Sequence, residues 1–216
     1  MRAILLLGAP GAGKGTVAGT ISKERGYEHF STGDMLRESV RKNDETGKFA
    51  KSFMERGELV PDDVIERIVS ARLDKGGTDA KYLFDGFPRT QRQAEAFDAL
   101  LAKRGAKVNA VVALDVPFDV IIRRMSGRRS CKICGAVYNI HSLKSKVDGV
   151  CDRCGGPLFQ RADDEDATVR NRLSVYERQT EPLASFYEKK GLLRRVSAVD
   201  RAHADASVLA VVDGVA

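Results

Sequence analysis

The stretch Gly8-Ala9-Pro10-Gly11-Ala12-Gly13-Lys14-Gly15-Thr16 follows directly on the apolar run Ile4 to Leu7, and no other part of the chain restricts its fold as much. After a buried strand the chain must turn sharply enough for consecutive backbone N–H groups to face one hollow, which glycines at 8, 11, 13 and 15 permit. A helix then begins near Gly15, and its unpaired N–H groups and positive end face the same hollow. Lys14 supplies a mobile charge for outer phosphates and Thr16 a hydroxyl near a magnesium ion. The pattern departs from G-x-x-x-x-G-K-[ST] in one place, because Gly15 stands where the hydroxyl residue is expected and Thr16 follows it. A glycine-rich turn that binds nothing is the alternative, but it does not require strand, glycines, lysine and helix in this order.

The rest of the chain alternates short apolar runs with amphipathic ones. Strands are expected at Lys81 to Asp85, Ala110 to Val116 and Leu192 to Val199, and helices at Gly15 to Arg25, from Ser31, from Pro61 to Gly76-Gly77, at 90 to 104, from Pro117 and at Asp205 to Val212. A long helical pattern from Asp166 to Lys190 contains Pro182, which is expected to kink or break it. The polar stretch 41 to 60 reads as short helices on a small flap, punctuated by Gly47 and Gly57. Strands alternating with helices predict a doubly wound α/β fold whose parallel sheet binds ligands at its strand C-terminal ends.

All four cysteines fall between 131 and 154, in the pattern Cys131-x2-Cys134-x16-Cys151-x2-Cys154, with Gly135 and Gly155 each just past a pair. Two such knuckles bring four thiolates into a tetrahedron that suits zinc and leaves no open position for catalysis. Two disulfides or four free thiols are the alternatives. Residues 130 to 160 are an inserted unit too small to bury a core of its own, so the metal is expected to replace that core and keep a lid rigid. With 216 residues, 43% hydrophobic and 31% charged, the chain suits one soluble domain with insertions. No apolar run is long enough to span a bilayer and only five apolar residues precede the glycine turn, so the expectation is a cytoplasmic protein without a membrane partner. The formal charge of +6 points to an anionic partner without naming it.

Arginine holds phosphate in fixed forks better than lysine, and the candidates are Arg37, Arg89, Arg124, Arg128, Arg161 and Arg172. Any one alone reads as a surface arginine. Asp85, at a strand end, suits magnesium held through its water shell, or initiates a turn. Asp163 and Asp164 suit either a helix cap or a site role.

Taken together, Gly8 to Thr16, Ser31-Thr32-Gly33-Asp34-Met35-Leu36-Arg37, Asp85-Gly86-Phe87-Pro88-Arg89-Thr90 with Gln93, Gly127-Arg128-Arg129, and Arg161 with Asp163, Asp164, Arg170 and Arg172 resemble the adenylate kinase family, in its bacterial long-lid form with a zinc-binding lid. The resemblance covers nearly the whole chain in order. It implies a five-stranded parallel P-loop sheet, with a core of residues 1–30, 61–127 and 165–216, an AMP-binding flap of 31–60 and a zinc-binding lid of 128–164. It implies magnesium-dependent transfer of the terminal phosphoryl group of ATP to AMP, giving ADP, by a monomer. Gly11, Ala12, Gly13, Lys14, Gly15 and Thr16 would hold the ATP phosphates, Arg124 would cover the ATP adenine, and Val137 and Tyr138 would touch ATP from the lid. Thr32, Arg37, Glu58, Leu59, Val60, Gly86, Phe87, Pro88, Arg89 and Gln93 would bind AMP, with Gln93 reading the adenine edge. Arg128, Arg161 and Arg172 would close on the phosphates, with Lys14, Arg89 and Asp85 as their catalytic companions. Cys131, Cys134, Cys151 and Cys154 would hold the zinc. Val199-Asp200 is followed by Arg201, where the family often has glycine, and a backbone contact from His203 to the ATP adenine is expected there.

Close rivals are a UMP/CMP kinase and a GTP-dependent AMP kinase; Thr32 and Gln93 favour AMP with ATP. A nucleic-acid-binding ATPase is opposed by a knuckle whose basic residues are offset by Asp148 and Asp152 and whose aromatic residues stop at Tyr138. A non-catalytic nucleotide switch would leave the acceptor-side arginines without a purpose.

Overall fold

Five parallel strands form the central sheet in the order β2-β3-β1-β4-β8, where β1 is Arg2–Leu7, β2 Glu28–Ser31, β3 Lys81–Asp85, β4 Val108–Asp115 and β8 Leu193–Ser197. The computed structural model describes residues 1–77 and 79–215; Thr78 and Ala216, both within the expected core segments, lie outside them. β1 and β3 lie side by side; the connection from β1 runs to β2 on one side and that from β3 runs to β4 on the other, which opens a crevice at their C-terminal ends.

Alternate side chains of the central strands point to opposite faces. Leu5, Leu7, Phe84, Val111 and Ala113 face α4 (Asp62–Leu73), α5 (Gln91–Ala102) and α8 (Pro182–Lys189). Ile4, Leu6, Leu83, Val112 and Leu114 face α1 (Lys14–Arg25) and α9 (Arg201–Gly214). Both faces are fully covered, which is why these strands read as continuous apolar runs. A third cluster joins Ala9 of the glycine turn to α6 (Phe118–Ser126) and α7 (Asp166–Val175) through Ile121, Met125, Val169 and Leu173. Among the described residues no helix is long and apolar enough to cross a membrane.

A second, antiparallel sheet of three strands, order β6-β5-β7, lies wholly within the cysteine-bearing insertion: β5 Arg128–Cys131, β6 Val137–Asn139 and β7 Leu158–Phe159. Between β2 and β3 in sequence, α2 (Thr32–Lys42) and α3 (Glu45–Arg56) occupy the stretch expected as the flap.

Several boundaries differ from the sequence reading for local reasons. The edge strand β2 buries only Phe30 and has no periodicity to reveal it. Gly47 does not punctuate the flap but lies in the first turn of α3, capped by Asp44, whose Oδ1 accepts from the Gly47 N–H at 2.8 Å. Pro61 is the N-cap residue of α4 rather than its first helical residue, and α4 ends at Leu73, before the Gly76-Gly77 pair. The pattern containing Pro182 divides into α7, a π-helical turn at Tyr176–Thr180 and α8, with the proline at the first position, where its missing N–H is harmless. The last helix starts four residues earlier than expected, because Asp200 caps it by accepting from the His203 N–H at 2.7 Å.

The position of Gly47 carries a consequence for stability. A Cβ there would run into the Ser39 carbonyl and stand 2.5 Å from the Val40 nitrogen, so the residue sets how closely α3 lies on α2. In an unhindered helix Gly→Ala is worth about 1 kcal/mol in favour of alanine. Here Gly47→Ala is expected instead to cost about 2 kcal/mol by overpacking, read as a lower urea midpoint at unchanged slope; a stabilised variant would show that the helices are not in this contact.

Candidate active site

β1 ends at Leu7, and the chain turns through Gly8 (φ 141°), Gly11 (φ 84°) and Gly13 (φ 100°) before α1 begins at Lys14. A Cβ on Gly11 would sit 2.7 Å from Met125 Cγ, so the loop is pressed against α6 by a contact that only glycine allows. Gly15 is different: it belongs to the first turn of α1, and a Cβ there would lie 3.5 Å from Asp85 Oδ2. Gly13 caps α1 without any side-chain acceptor for the first N–H groups, which leaves the helix start suited to an anion.

The loop lines a cleft of about 850 Å³. Its wall also includes Thr32, Arg37, Glu58, Leu59, Val60, Asp85, Gly86, Pro88, Arg89 and Gln93 from the flap side, and Arg124, Arg128, Val137, Tyr138, Arg161, Asp163 and Arg172 from the lid side. Thus almost every residue expected to bind nucleotide or act on its phosphates meets at one place. Two do not. The Phe87 ring is buried in the core, edge-on to Phe97 at 5.1 Å. His203 is exposed on α9, outside the lining, and its N–H is taken by Asp200; Ala198, Val199 and Arg201 line the cleft there instead.

Most cations in the cleft are braced. Lys14 Nζ donates to the Gly8 and Ala9 carbonyls at 2.7 and 3.0 Å. Burial holds its ammonium down to about 8; Asp85 opposes this, while Arg89, Arg172 and Arg128 add to it. Arg89 Nε and Thr32 Oγ1 both donate to the Gly86 carbonyl, at 2.7 and 2.8 Å, and the Arg89 carbonyl accepts from Thr180 Oγ1 at 2.9 Å. Arg128 grips both carboxylate oxygens of buried Asp164, with Nε at 2.7 Å from Oδ2. Arg172 Nη1 donates to the Asp163 carbonyl and carboxylate at 2.9 and 2.6 Å. Arg161 Nε donates to Ser130 Oγ at 2.7 Å, and burial together with Arg37 and Arg128 pulls its guanidinium down to about 9. Asp163 and Asp164 are therefore partners of arginines and not helix caps; the residue before α7 is Glu165, which makes no side-chain cap.

Asp85 lies opposite the start of α1, with His29 Nε2 at 3.4 Å from Oδ2. Burial alone would raise its pKa, but the His29 contact and the Lys14 charge keep the carboxyl below the usual carboxylate range. An ionised oxygen donor beside Gly15, with Thr16 lining the same cleft, fits the hard-oxygen preference of magnesium. Arg124 spans the far end, donating to the Ala198 and Val199 carbonyls at 2.8 Å each and to the Ala12 carbonyl at 3.3 Å.

In the lid the four cysteine sulfurs lie within 4.8 Å of one another, with Cys131–Cys154 at 3.5 Å and Cys134–Cys151 at 3.6 Å. A tetrahedron with metal–sulfur bonds of about 2.3 Å has edges of about 3.8 Å, so the set fits zinc. The two knuckles repeat one turn: the Gly135 and Gly155 amides donate to the Cys131 and Cys151 carbonyls, at 3.1 and 2.8 Å. The Tyr138 hydroxyl sits 3.5 Å from Cys151 Sγ, and this contact holds the thiol down to about 6. Tyr138 thus spends its polar end inside the lid, although the residue borders the cleft.

Sequence reasoning passed over Thr180 and Asp62. Thr180 is hidden in the π-helical turn, and Asp62, whose Oδ1 accepts from Gln93 Nε2 at 2.7 Å, reads in the sequence as no more than a helix-start acid.

The family model described as Adenylate kinase matches residues 6–192. Curated relatives named Adenylate kinase include those of Thermodesulfovibrio yellowstonii, 49% identical over 90% of each chain, and Caldicellulosiruptor bescii, 50% identical over 88% of each. Another, from Archaeoglobus fulgidus, is 48% identical over 88% of each chain. With two thirds or more of both sequences aligned at this identity and the cleft assembled as described, the chain belongs to the adenylate kinase family.

Proposed function

We propose how the cleft divides its work in the reaction of its family, the reversible transfer of the terminal phosphoryl group of ATP to AMP to give two ADP. The observation that carries the division is a single cleft with the glycine cradle on one side, the Thr32–Gly86–Gln93 wall on the other and the cations between them. The loop from Gly11 to Thr16 holds the ATP phosphates, Arg124 and the Ala198–Val199 backbone border the ATP base, and Thr32, Arg37, Glu58 to Val60, Gly86, Pro88, Arg89 and Gln93 receive AMP.

An ionised oxygen of the AMP phosphate needs no strong base to attack in line, so position and charge do the catalysis. Lys14, Arg89, Arg128, Arg161 and Arg172 face the charge that spreads over the transferring group. Thr16 and Asp85 would hold magnesium, which when bound with ATP neutralises part of that charge. Residues 31–60 and 128–164 close on a core of 1–30, 61–127 and 165–216, excluding water that would otherwise accept the phosphoryl group. In support, Arg41 of the flap donates to the Ile133 carbonyl of the lid at 3.4 Å, and Asn171 of α7 to the Arg56 carbonyl of the flap at 2.6 Å. Cys131, Cys134, Cys151 and Cys154 would hold zinc as a structural ion. We further assign the chain to the reducing cytoplasm as a monomer; its four cysteines are not paired in disulfides, as a reducing compartment keeps them.

Three measurements test these assignments. Offered AMP, UMP, CMP and GMP separately with magnesium and ATP, the protein is expected to turn over AMP far above the others; preference for a pyrimidine would move the acceptor assignment and leave the fold.

Lys14 is useful only while charged, and in the free enzyme that charge is lost as pH rises through about 8. The kcat/KM for ATP should therefore fall above that pH, while kcat falls at higher pH because bound phosphates favour the ammonium. Lys14→Arg should lack this limb, and Lys14→Met should lose about a thousandfold in kcat. A pH-independent kcat/KM up to pH 10 would remove Lys14 from this role.

Metal analysis is expected to give one zinc per chain. Cys131→Ser should bind less and melt at lower temperature, yet keep kcat within roughly tenfold of the parent well below its melting point, as a structural ion requires. A loss as large as that of Lys14→Met would instead put the metal in the chemistry.

A further inference from the structure

The amide of Gln93 is held in a frame that permits one orientation. The side chain is 2% exposed. Its Oε1 accepts from the Arg89 backbone N–H at 2.8 Å, and its Nε2 donates to Asp62 Oδ1 at 2.7 Å. The second carboxylate oxygen of Asp62 accepts from Thr90 Oγ1 at 3.0 Å, and that same hydroxyl oxygen caps α5 by accepting from the Gln93 N–H at 3.1 Å. Asp62 stands at the start of α4 and Thr90 at the start of α5, so the frame is tied to two helices packed on the sheet. Turning the amide over would set its NH2 against the Arg89 N–H and its carbonyl against the Asp62 carboxylate, replacing two attractions with two repulsions.

Held this way, Gln93 keeps one unused N–H and one unused lone pair. Adenine offers a ring-nitrogen acceptor beside an amino donor. A 6-oxopurine offers the inverse, a ring N–H donor beside a carbonyl acceptor, and would need the amide reversed. Asp62 does not line the cleft, so any influence on the base passes through Gln93.

We propose that Asp62 is a specificity-positioning residue, which fixes the Gln93 amide so that the acceptor site takes adenine and rejects 6-oxopurine monophosphates. The inference rests on the assignment of Gln93 to the acceptor base. Selectivity here comes from refusing the wrong donor–acceptor pattern as much as from fitting the right one.

The test measures kcat/KM for AMP and for inosine monophosphate, which differs from AMP at this edge alone, in the full-length protein with magnesium and ATP. Asn in place of Asp62 can face either end of the amide. Asp62→Asn should therefore lower the AMP-to-IMP ratio about tenfold, through KM for the acceptor, with KM for ATP unchanged. Thr90→Val, which removes the anchor of Asp62 but keeps the carboxylate, should lower the ratio in the same direction by a smaller factor, and decides the matter if Asp62→Asn does not fold. Gln93→Leu separates the two levels of the argument. If it lowers the ratio while Asp62→Asn and Thr90→Val leave it unchanged, the role of Asp62 is overturned and the reading of Gln93 stands. If Gln93→Leu also leaves the ratio unchanged, the base assignment fails and takes the inference with it. An equal fall in kcat for both acceptors at constant ratio would make Asp62 a merely structural residue and also overturn the proposal.

Discussion

Positive charges crowded into one cleft repel each other, and most of what surrounds that cleft can be understood as a means of holding them there. Burial and like charge bring Lys14 to about 8, Arg161 to about 9 and Arg172 to about 10. Such groups would swing into solvent if nothing restrained them. The restraints are carboxylates at Asp163 and Asp164 for Arg172 and Arg128, and backbone carbonyls at Gly8, Gly86 and Ala198 for Lys14, Arg89 and Arg124. Carbonyls keep the charge in place without cancelling it. A polyphosphate entering the cleft therefore meets donors already aimed, and relief of their mutual repulsion adds to the attraction.

The four-cysteine cluster of the lid fits a structural metal, and such an ion would matter to a site it does not touch. β5 is four residues long; it begins with Arg128 and ends with Cys131, and Ser130 between them accepts from Arg161. Two cleft arginines thus depend on one short strand whose far end is one of the four clustered cysteines. The apolar cluster beneath it is small, made of Cys131, Tyr138 and Cys151 with Cys134, Ala136 and Leu158 around them. Without a four-thiolate centre that cluster buries too little to hold the strand straight.

What the sequence makes legible follows from how local the cause is. Gly8 to Thr16 announces itself because strand, turn and helix are contiguous, and the cysteine knuckles because a tetrahedral site dictates its own spacing. β2 stays hidden because an edge strand with one buried residue carries almost no pattern. Gly47 misleads because glycine serves two unrelated purposes, left-handed backbone and close approach, and only the packed structure tells them apart. His203 stands outside the cleft lining because Asp200, three residues beyond the end of β8, starts the helix early and accepts from the His203 N–H as its cap. Asp62 and Thr180 act through contacts 31 and 91 residues away in sequence, which no local pattern can reveal.

On the proposed division of the cleft, these long-range contacts tie acceptor recognition to phosphate chemistry. Arg89 takes part in both: its guanidinium donates to the Gly86 carbonyl in the cleft, its amide fixes Gln93, and its carbonyl is held by Thr180 beside α8. Gly86 in turn joins the flap through Thr32. A shift of Gln93 would therefore disturb the same backbone that positions the Arg89 guanidinium. Since misplacement by about 1 Å is enough to cost about a hundredfold in rate, the proposed discrimination at the base would be converted into discrimination in the transfer step, where water is the competing acceptor and an ill-seated monophosphate would leave room for it.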